Sequence, residues 1–241
     1  MSDGSIIEFN NVTKIYSSEM FSRHVGINDI SIRITEGVCY GLVGPNGSGK
    51  TTIIKLILGL LYPNKGTIKL FGETPKTSHK TRIGYLPELT YYYDFLTPEE
   101  ILYFFGRLYG ITGKKLKTRV NDVLNTVDLY KYRERKLKTF SKGMLQRLGV
   151  AQSIINNPSL LIVDEPTIGL DPVGLKDFVK MLESFKNNGV TIVFSSHQLM
   201  YAQKLCDTVS ILNQGALMRT INANDIESLE DLYIATIGGA E

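Results

Sequence analysis

The sequence predicts an α/β fold: a parallel-sheet core, an antiparallel β subdomain at its N-terminal side, and an inserted α-helical subdomain. Three observations predict it. In the last third of the chain, short apolar runs alternate with helical patterns, which is the order of a parallel sheet with crossover helices. The first third is rich in strand patterns and broken by glycines. The middle, roughly Leu89 to Asn157, is dominated by helical periodicity.

Taken in order, Ile6 to Phe9 reads as a strand. Ile27 to Ile34 follows, with isoleucines recurring at Ile27, Ile30, Ile32 and Ile34, and then Val38 to Val43 and Thr67 to Phe71. Gly37, Gly66 and Gly72 punctuate these runs, and an apolar helical pattern covers Ile53 to Leu61. Thr97-Pro98-Glu99-Glu100 opens the helical region as a capping box: threonine caps, proline takes the first helical position, and Glu100 returns a bond to the cap. After Asn157 come a strand at Leu160 to Val163, a helix after Pro172, a strand at Val190 to Ser195, a helix from Gln198 and a strand at Val209 to Asn213. The expected organisation is a core of residues 1–88 and 158–220 that includes the β subdomain, a helical subdomain of 89–157, and a short tail of 221–241.

Composition is that of a globular protein, with 43% hydrophobic and 21% charged residues, and no apolar run approaches the ~20 residues of a membrane helix. The start, MSDGSIIEFNN, lacks a basic stretch followed by an apolar one, so a cytosolic location is expected. The two cysteines, Cys39 and Cys206, have no metal-binding spacing and are expected to be reduced core residues. A net charge of +3 is too small to argue for nucleic acid, and none is expected as a partner. Between Lys114 and Lys138 basic residues outnumber acidic ones. That excess reads either as a solvated face or as attraction to anionic lipid headgroups.

The chemistry begins with Gly44-Pro45-Asn46-Gly47-Ser48-Gly49-Lys50-Thr51-Thr52, set between an apolar strand and a helix. The pattern G-x-x-x-x-G-K-[ST] places glycines where the backbone turns sharply and aims N–H groups at phosphate oxygens. Lys50 is positioned for the β- and γ-phosphates of a nucleotide and Thr51 for Mg²⁺, which makes the core that of a P-loop NTPase. The strand Leu160 to Val163 runs into Asp164 and Glu165, acids at the edge where parallel sheets bind ligands. Asp164 suits the Mg²⁺ shell and Glu165 the polarisation of an attacking water. His197, just past another buried strand, is placed to contact the γ-phosphate and that water.

Phosphate loops are shared by many NTPases, so the discriminating segment is Phe140-Ser141-Lys142-Gly143-Met144-Leu145-Gln146-Arg147. It resembles the LSGGQ signature of the ATP-binding cassette (ABC) family, and physically it caps a helix with Ser141 and leaves Gly143 for close approach to an anion. The resemblance implies that Ser141, Lys142 and Gly143, with Asp171 of Gly169-Leu170-Asp171-Pro172, complete the ATP site of a second chain, so that two ATP molecules are sandwiched between two chains. It further implies that Tyr16 stacks on adenine and that His197 is the switch histidine.

Two departures accompany the resemblance. Glu88 stands where the family usually has a glutamine that touches Mg²⁺, and Lys142 and Met144 replace a glycine and a glutamine of the signature. With Glu88, the form Ser-Lys-Gly-Met and the segment Ser228-Leu229-Glu230-Asp231-Leu232-Tyr233, the chain is similar to the ATPase subunits of ABC-2-type exporters. That likeness implies ATP and Mg²⁺ as cofactors, an integral membrane permease as partner, homodimer or heterodimer formation, and a place on the inner face of the cell membrane. The family also contains soluble ATPases that act on ribosomes or nucleic acid, and non-hydrolysing regulatory subunits. The former is the alternative function, and the pair Asp164-Glu165 argues against the latter. The aromatic run Tyr91, Tyr92, Tyr93 and Phe95 reads either as packing under the helical subdomain or as a groove for a short helix of the permease.

Overall fold

The computed structural model describes residues 4–17, 23–166 and 172–238. β1 (Ser5–Ser17), β2 (Arg23–Thr35) and β4 (Lys65–Leu70) form an antiparallel sheet with β1 in the middle. The second sheet contains β3 (Cys39–Val43), β5 (Ile83–Leu86), β6 (Leu160–Asp164), β7 (Thr191–Ser196), β8 (Thr208–Asn213) and β9 (Ala216–Asn222). Its spatial order is β5-β6-β7-β3-β8-β9, parallel throughout except for β9. Every residue of β3, β6 and β7 is buried, as continuous apolar runs covered on both faces should be.

Alternate residues of these strands feed two cores. Leu160 and Ile162 join the antiparallel sheet and α1 (Lys50–Ile57), whereas Leu161 and Val163 join the helices on the opposite face. Those are α2 (Pro98–Leu108), α3 (Gly113–Thr126), α4 (Lys142–Ile154), α5 (Pro172–Asn187) and α6 (Leu199–Leu205), with α7 (Leu229–Gly238) against α6. The register sets Asp164 beside Ser195 and Val43 beside Ser196. The ends of β3, β6 and β7 therefore share one edge, where open α/β sheets bind ligands.

The structure extends several expected elements. β1 continues past Asn10 to Ser17 because a bulge interrupts the alternation without ending the pairing. Asn11 sits at φ 49°, its amide donates to Asp29 Oδ1 at 3.0 Å, and the register shifts between Phe9 and Val12. α1 starts at Lys50, three residues before the apolar pattern, since polar phosphate-loop residues form its first turn. It ends at Ile57, where Gly59 at φ 65° lets the Leu60 N–H reach back to Lys55 O at 2.9 Å. β5, β9 and α7 are additional to the expected elements. β5 is only four residues long, and β9 follows a tight hairpin turn at Gln214 and Gly215, both at positive φ.

Other expectations are met in detail. Thr97 caps α2: the Glu100 N–H donates to Thr97 Oγ1 at 3.2 Å, and the Thr97 N–H to Glu100 Oε2 at 2.8 Å. Thr97→Ala is expected to lower stability by about 1 kcal/mol, read as a drop in the denaturation midpoint at unchanged slope. Cys39 and Cys206 are free and buried, with their sulfurs 3.6 Å apart. The basic run is partly consumed locally. Arg119 donates to the Ile154 and Ile155 carbonyls at the end of α4, Arg133 pairs with Glu134, and Lys136 with Glu100, while Lys114, Lys115 and Lys117 are exposed.

Candidate functional site

The phosphate loop leaves β3 at Val43 and enters α1 at Lys50, and its shape depends on two glycines. A Cβ on Gly44 would lie 2.3 Å from Leu212 O and 2.6 Å from Ser48 Oγ. At Gly49, φ is 108° and a Cβ would lie 2.8 Å from Gly26 O, so only glycine fits. Inside the loop, Lys50 is 5% exposed; its Nζ donates to Gly44 O at 2.8 Å and to Pro45 O at 3.2 Å. Ser48 Oγ is buried with no hydrogen-bond partner among the described residues, while Pro45, Asn46, Gly47 and Thr51 are exposed at the rim.

Asp164 and Glu165 diverge at the end of β6. The Asp164 carboxylate accepts from Ser195 Oγ at 2.6 Å; burial pushes its pKa up, and that hydrogen bond opposes the rise. Burial, with the Asp164 carboxylate as a further cause, pushes the neighbouring Tyr85 phenol up to about 12. Glu165 takes φ 45°, a left-handed conformation unusual for a non-glycine residue, and its N–H bonds Ser195 O at 3.2 Å and Ser195 Oγ at 3.0 Å. The bend sends its carboxylate toward the loop. Oε1 lies 3.3 Å from Lys50 Nζ, at ion-pair range without a hydrogen bond, and Oε2 accepts the His197 N–H at 3.2 Å and stands 2.7 Å from His197 Nδ1. Three side chains far apart in sequence thus share one charged network.

Lys50, Glu165 and His197 line a cleft of about 250 Å³ together with Thr51, Thr52, Glu88 and Tyr16, whereas the Asp164 carboxylate, turned to Ser195, does not line it. The Tyr16 hydroxyl is 3.2 Å from Thr52 Oγ1. His24 and Gly26 also line the cleft and escaped sequence reasoning, because their place follows from β1–β2 pairing, in which His24 stands opposite Tyr16. Ser195, which bonds both acids' residues, was missed as well. A serine pair closing an otherwise apolar strand is the signal that could have found it.

The signature residues lie elsewhere. Ser141 caps α4 by accepting the Met144 N–H at 3.3 Å, and Ser141 and Lys142 are exposed. The close approach expected at Gly143 is not made within this chain, since a Cβ there would meet nothing within 4 Å among the described residues. None of the three lines the cleft. Asp171, with Gly169 and Leu170, falls outside the described residues.

A buried lysine in a glycine loop at a helix N-terminus, facing acids at the end of a neighbouring parallel strand, defines a P-loop nucleoside triphosphatase. Residues 27–168 match the ABC transporter family, and the chain belongs to that family as an ATP-binding, ATP-hydrolysing subunit. It is 36% identical over 95% of its length to the bacitracin transport ATP-binding protein BcrA of Bacillus licheniformis, covering 74% of that protein. It is 34% identical over 95% of its length to the lantibiotic transport ATP-binding protein SrtF of Streptococcus pyogenes, covering 96% of it. A solved ATP-binding subunit of an ABC transporter superposes with a TM-score of 0.83 at 28% identity, covering 96% of this chain and 99% of that one. ATPases of this family dimerise and work with membrane permeases, and the soluble alternative is not favoured. No helix among the described residues is long and apolar enough to cross a membrane.

Proposed function

We propose that this chain powers an ABC-2-type exporter, sitting on the cytoplasmic face of a permease and dimerising with a second ATP-binding subunit. The observation that carries the hydrolytic half is the network of Lys50, Glu165 and His197 in one cleft. ATP would draw Lys50 from the Gly44 and Pro45 carbonyls toward its β- and γ-phosphates, beside the backbone N–H groups of residues 46–52 and the Thr52 hydroxyl, with adenine against Tyr16. Glu165 then polarises a water in line with the γ-phosphate. His197, engaged through Nδ1, keeps Nε2 for the phosphate or that water. The water–phosphorus bond forms as the bond to ADP breaks, and Lys50 offsets the charge that develops. Thr51 and Glu88, which line the cleft, and the buried Asp164 next to Glu165 would supply hydroxyl and carboxylate oxygens, a donor set that suits Mg²⁺. When bound, Mg²⁺ neutralises phosphate charge.

Ser141, Lys142, Gly143 and Asp171 are assigned to the partner chain's nucleotide. The exposed cap of α4 and the open space over Gly143 support this for the signature, because an anion can reach that helix end. We divide the chain into a core of 1–88 and 158–220, a helical unit of 89–157 and a tail of 221–241. The middle unit is supported by its content, since α2, α3 and α4 fall in it.

The aromatic run divides in the structure. Tyr92 is packed inward, its hydroxyl donating to Gln152 Oε1 at 2.8 Å, and burial pushes its phenol well up. Tyr91 is 86% exposed and Tyr93 71%, with Tyr93 stacked on Phe95 at 5.4 Å, along an apolar groove of about 470 Å³. We assign this groove to a short cytoplasmic helix of the permease. Tyr93→Ala is expected to keep basal ATPase activity and to weaken permease binding by at least about tenfold in a pull-down titration. Lost ATP binding would sink that assignment. For the function as a whole, the test is purification from gently solubilised membranes with ATP present. A co-purifying polytopic membrane protein supports transport, and ribosomes or DNA-processing proteins in its place overturn it.

A further inference from the structure

Gln146 stands on α4 little more than one turn past Ser141. Its side-chain Nε2 donates to Pro166 O at 3.0 Å. Pro166 directly follows Glu165 and has no N–H, so its carbonyl is the one backbone hydrogen-bonding group it offers. On the other side, the Glu165 N–H is held by Ser195. A residue strained at φ 45° is thus tied down by β7 before it and by α4 after it. The adjacent Arg147 donates to Asp177 on α5 at 3.1 Å and to Asp128 at 2.9 Å. Consecutive residues of α4 therefore grip both Pro166 and α5.

We propose that Gln146 is a positioning residue for hydrolysis: its bond to the Pro166 carbonyl sets where the Glu165 carboxylate stands, and links that placement to the Ser141 end of the same helix. The inference rests on the reading that Ser141 meets the partner chain's nucleotide and that Glu165 polarises water. The Glu165 oxygens lie 2.7 Å from His197 Nδ1 and 3.3 Å from Lys50 Nζ, so a small shift of the Pro166 backbone alters both contacts. α4 is a continuous helix with a packed interior face, so docking at its N-terminus moves Gln146 as one body with Ser141. Nucleotide bound across the dimer would in this way adjust hydrolysis in the chain's own site.

The test is Gln146→Glu in the full chain, which keeps the side-chain shape, removes the donor and sets a carboxylate oxygen against the carbonyl. The expected result is a kcat lower by about three- to tenfold, with KM and ATP binding unchanged, and substantial recovery in Gln146→Lys, which restores an N–H donor. A kcat equal to wild type overturns the inference while leaving the hydrolysis reading intact. Loss of ATP binding also overturns it, because Gln146 would then hold the site's fold and not the water-polarising residue. A wild-type chain that binds ATP without turnover overturns the Glu165 reading and this inference together.

Discussion

Glu165→Gln is expected to reduce ATP turnover by at least about 10²-fold while ATP still binds and a nucleotide-bound dimer accumulates. The amide keeps the size of the side chain and an oxygen able to accept the His197 N–H, so the bend at the end of β6 survives. It loses the charge that polarises water. The carboxylate now stands beside Lys50 in the place where the γ-phosphate must bring negative charge, so removing it favours nucleotide retention. Turnover measured by phosphate release, together with the elution volume of the chain with ATP, checks both halves. Turnover near the wild-type rate would remove Glu165 from its catalytic role.

Lys50→Met should weaken ATP binding by about 100-fold, measured by titration with a fluorescent nucleotide. Lys50 Nζ is desolvated and bonds two carbonyl oxygens of its own loop, so it is held at the point where phosphate oxygens would replace those carbonyls. Methionine fills similar volume but brings no charge and leaves Glu165 Oε1 buried without its cation. A far-UV spectrum like that of the wild type would show that the fold is kept. An affinity within about threefold of wild type would show that Lys50 does not carry the phosphate interaction.

Local chemistry was the legible part. The glycine loop, the strand running into Asp164 and Glu165, the Thr97 capping box and the Ser141 cap each lie within a few consecutive residues, and each appears in the structure where those residues stand. Boundaries were less legible wherever a local irregularity broke the period without ending the element. The bulge at Asn11 hid the second half of β1, and polar Lys50, Thr51 and Thr52 hid the first turn of α1. β5 carries too little pattern in four residues, and its place at the sheet edge depends on Gly84, where a Cβ would meet Ser153 O at 2.0 Å.

The sequence by itself determined the reaction class, because phosphate binding needs contiguous backbone N–H groups and a lysine one residue past a glycine, and that information is local. It also determined the alternation of buried strands and helices from which the sheet follows. Only the tertiary structure decided which distant groups meet. The strand order β5-β6-β7-β3-β8-β9 puts the ends of β6 and β7 beside the phosphate loop, which joins Lys50, Glu165 and His197. Packing decided that Tyr92 turns inward to Gln152 while Tyr93 faces outward, and that Gln146 reaches Pro166. The physical reason is common to all of these. Hydrophobic periodicity records which face of an element is buried, whereas a contact between elements depends on their register and order, which no single segment carries.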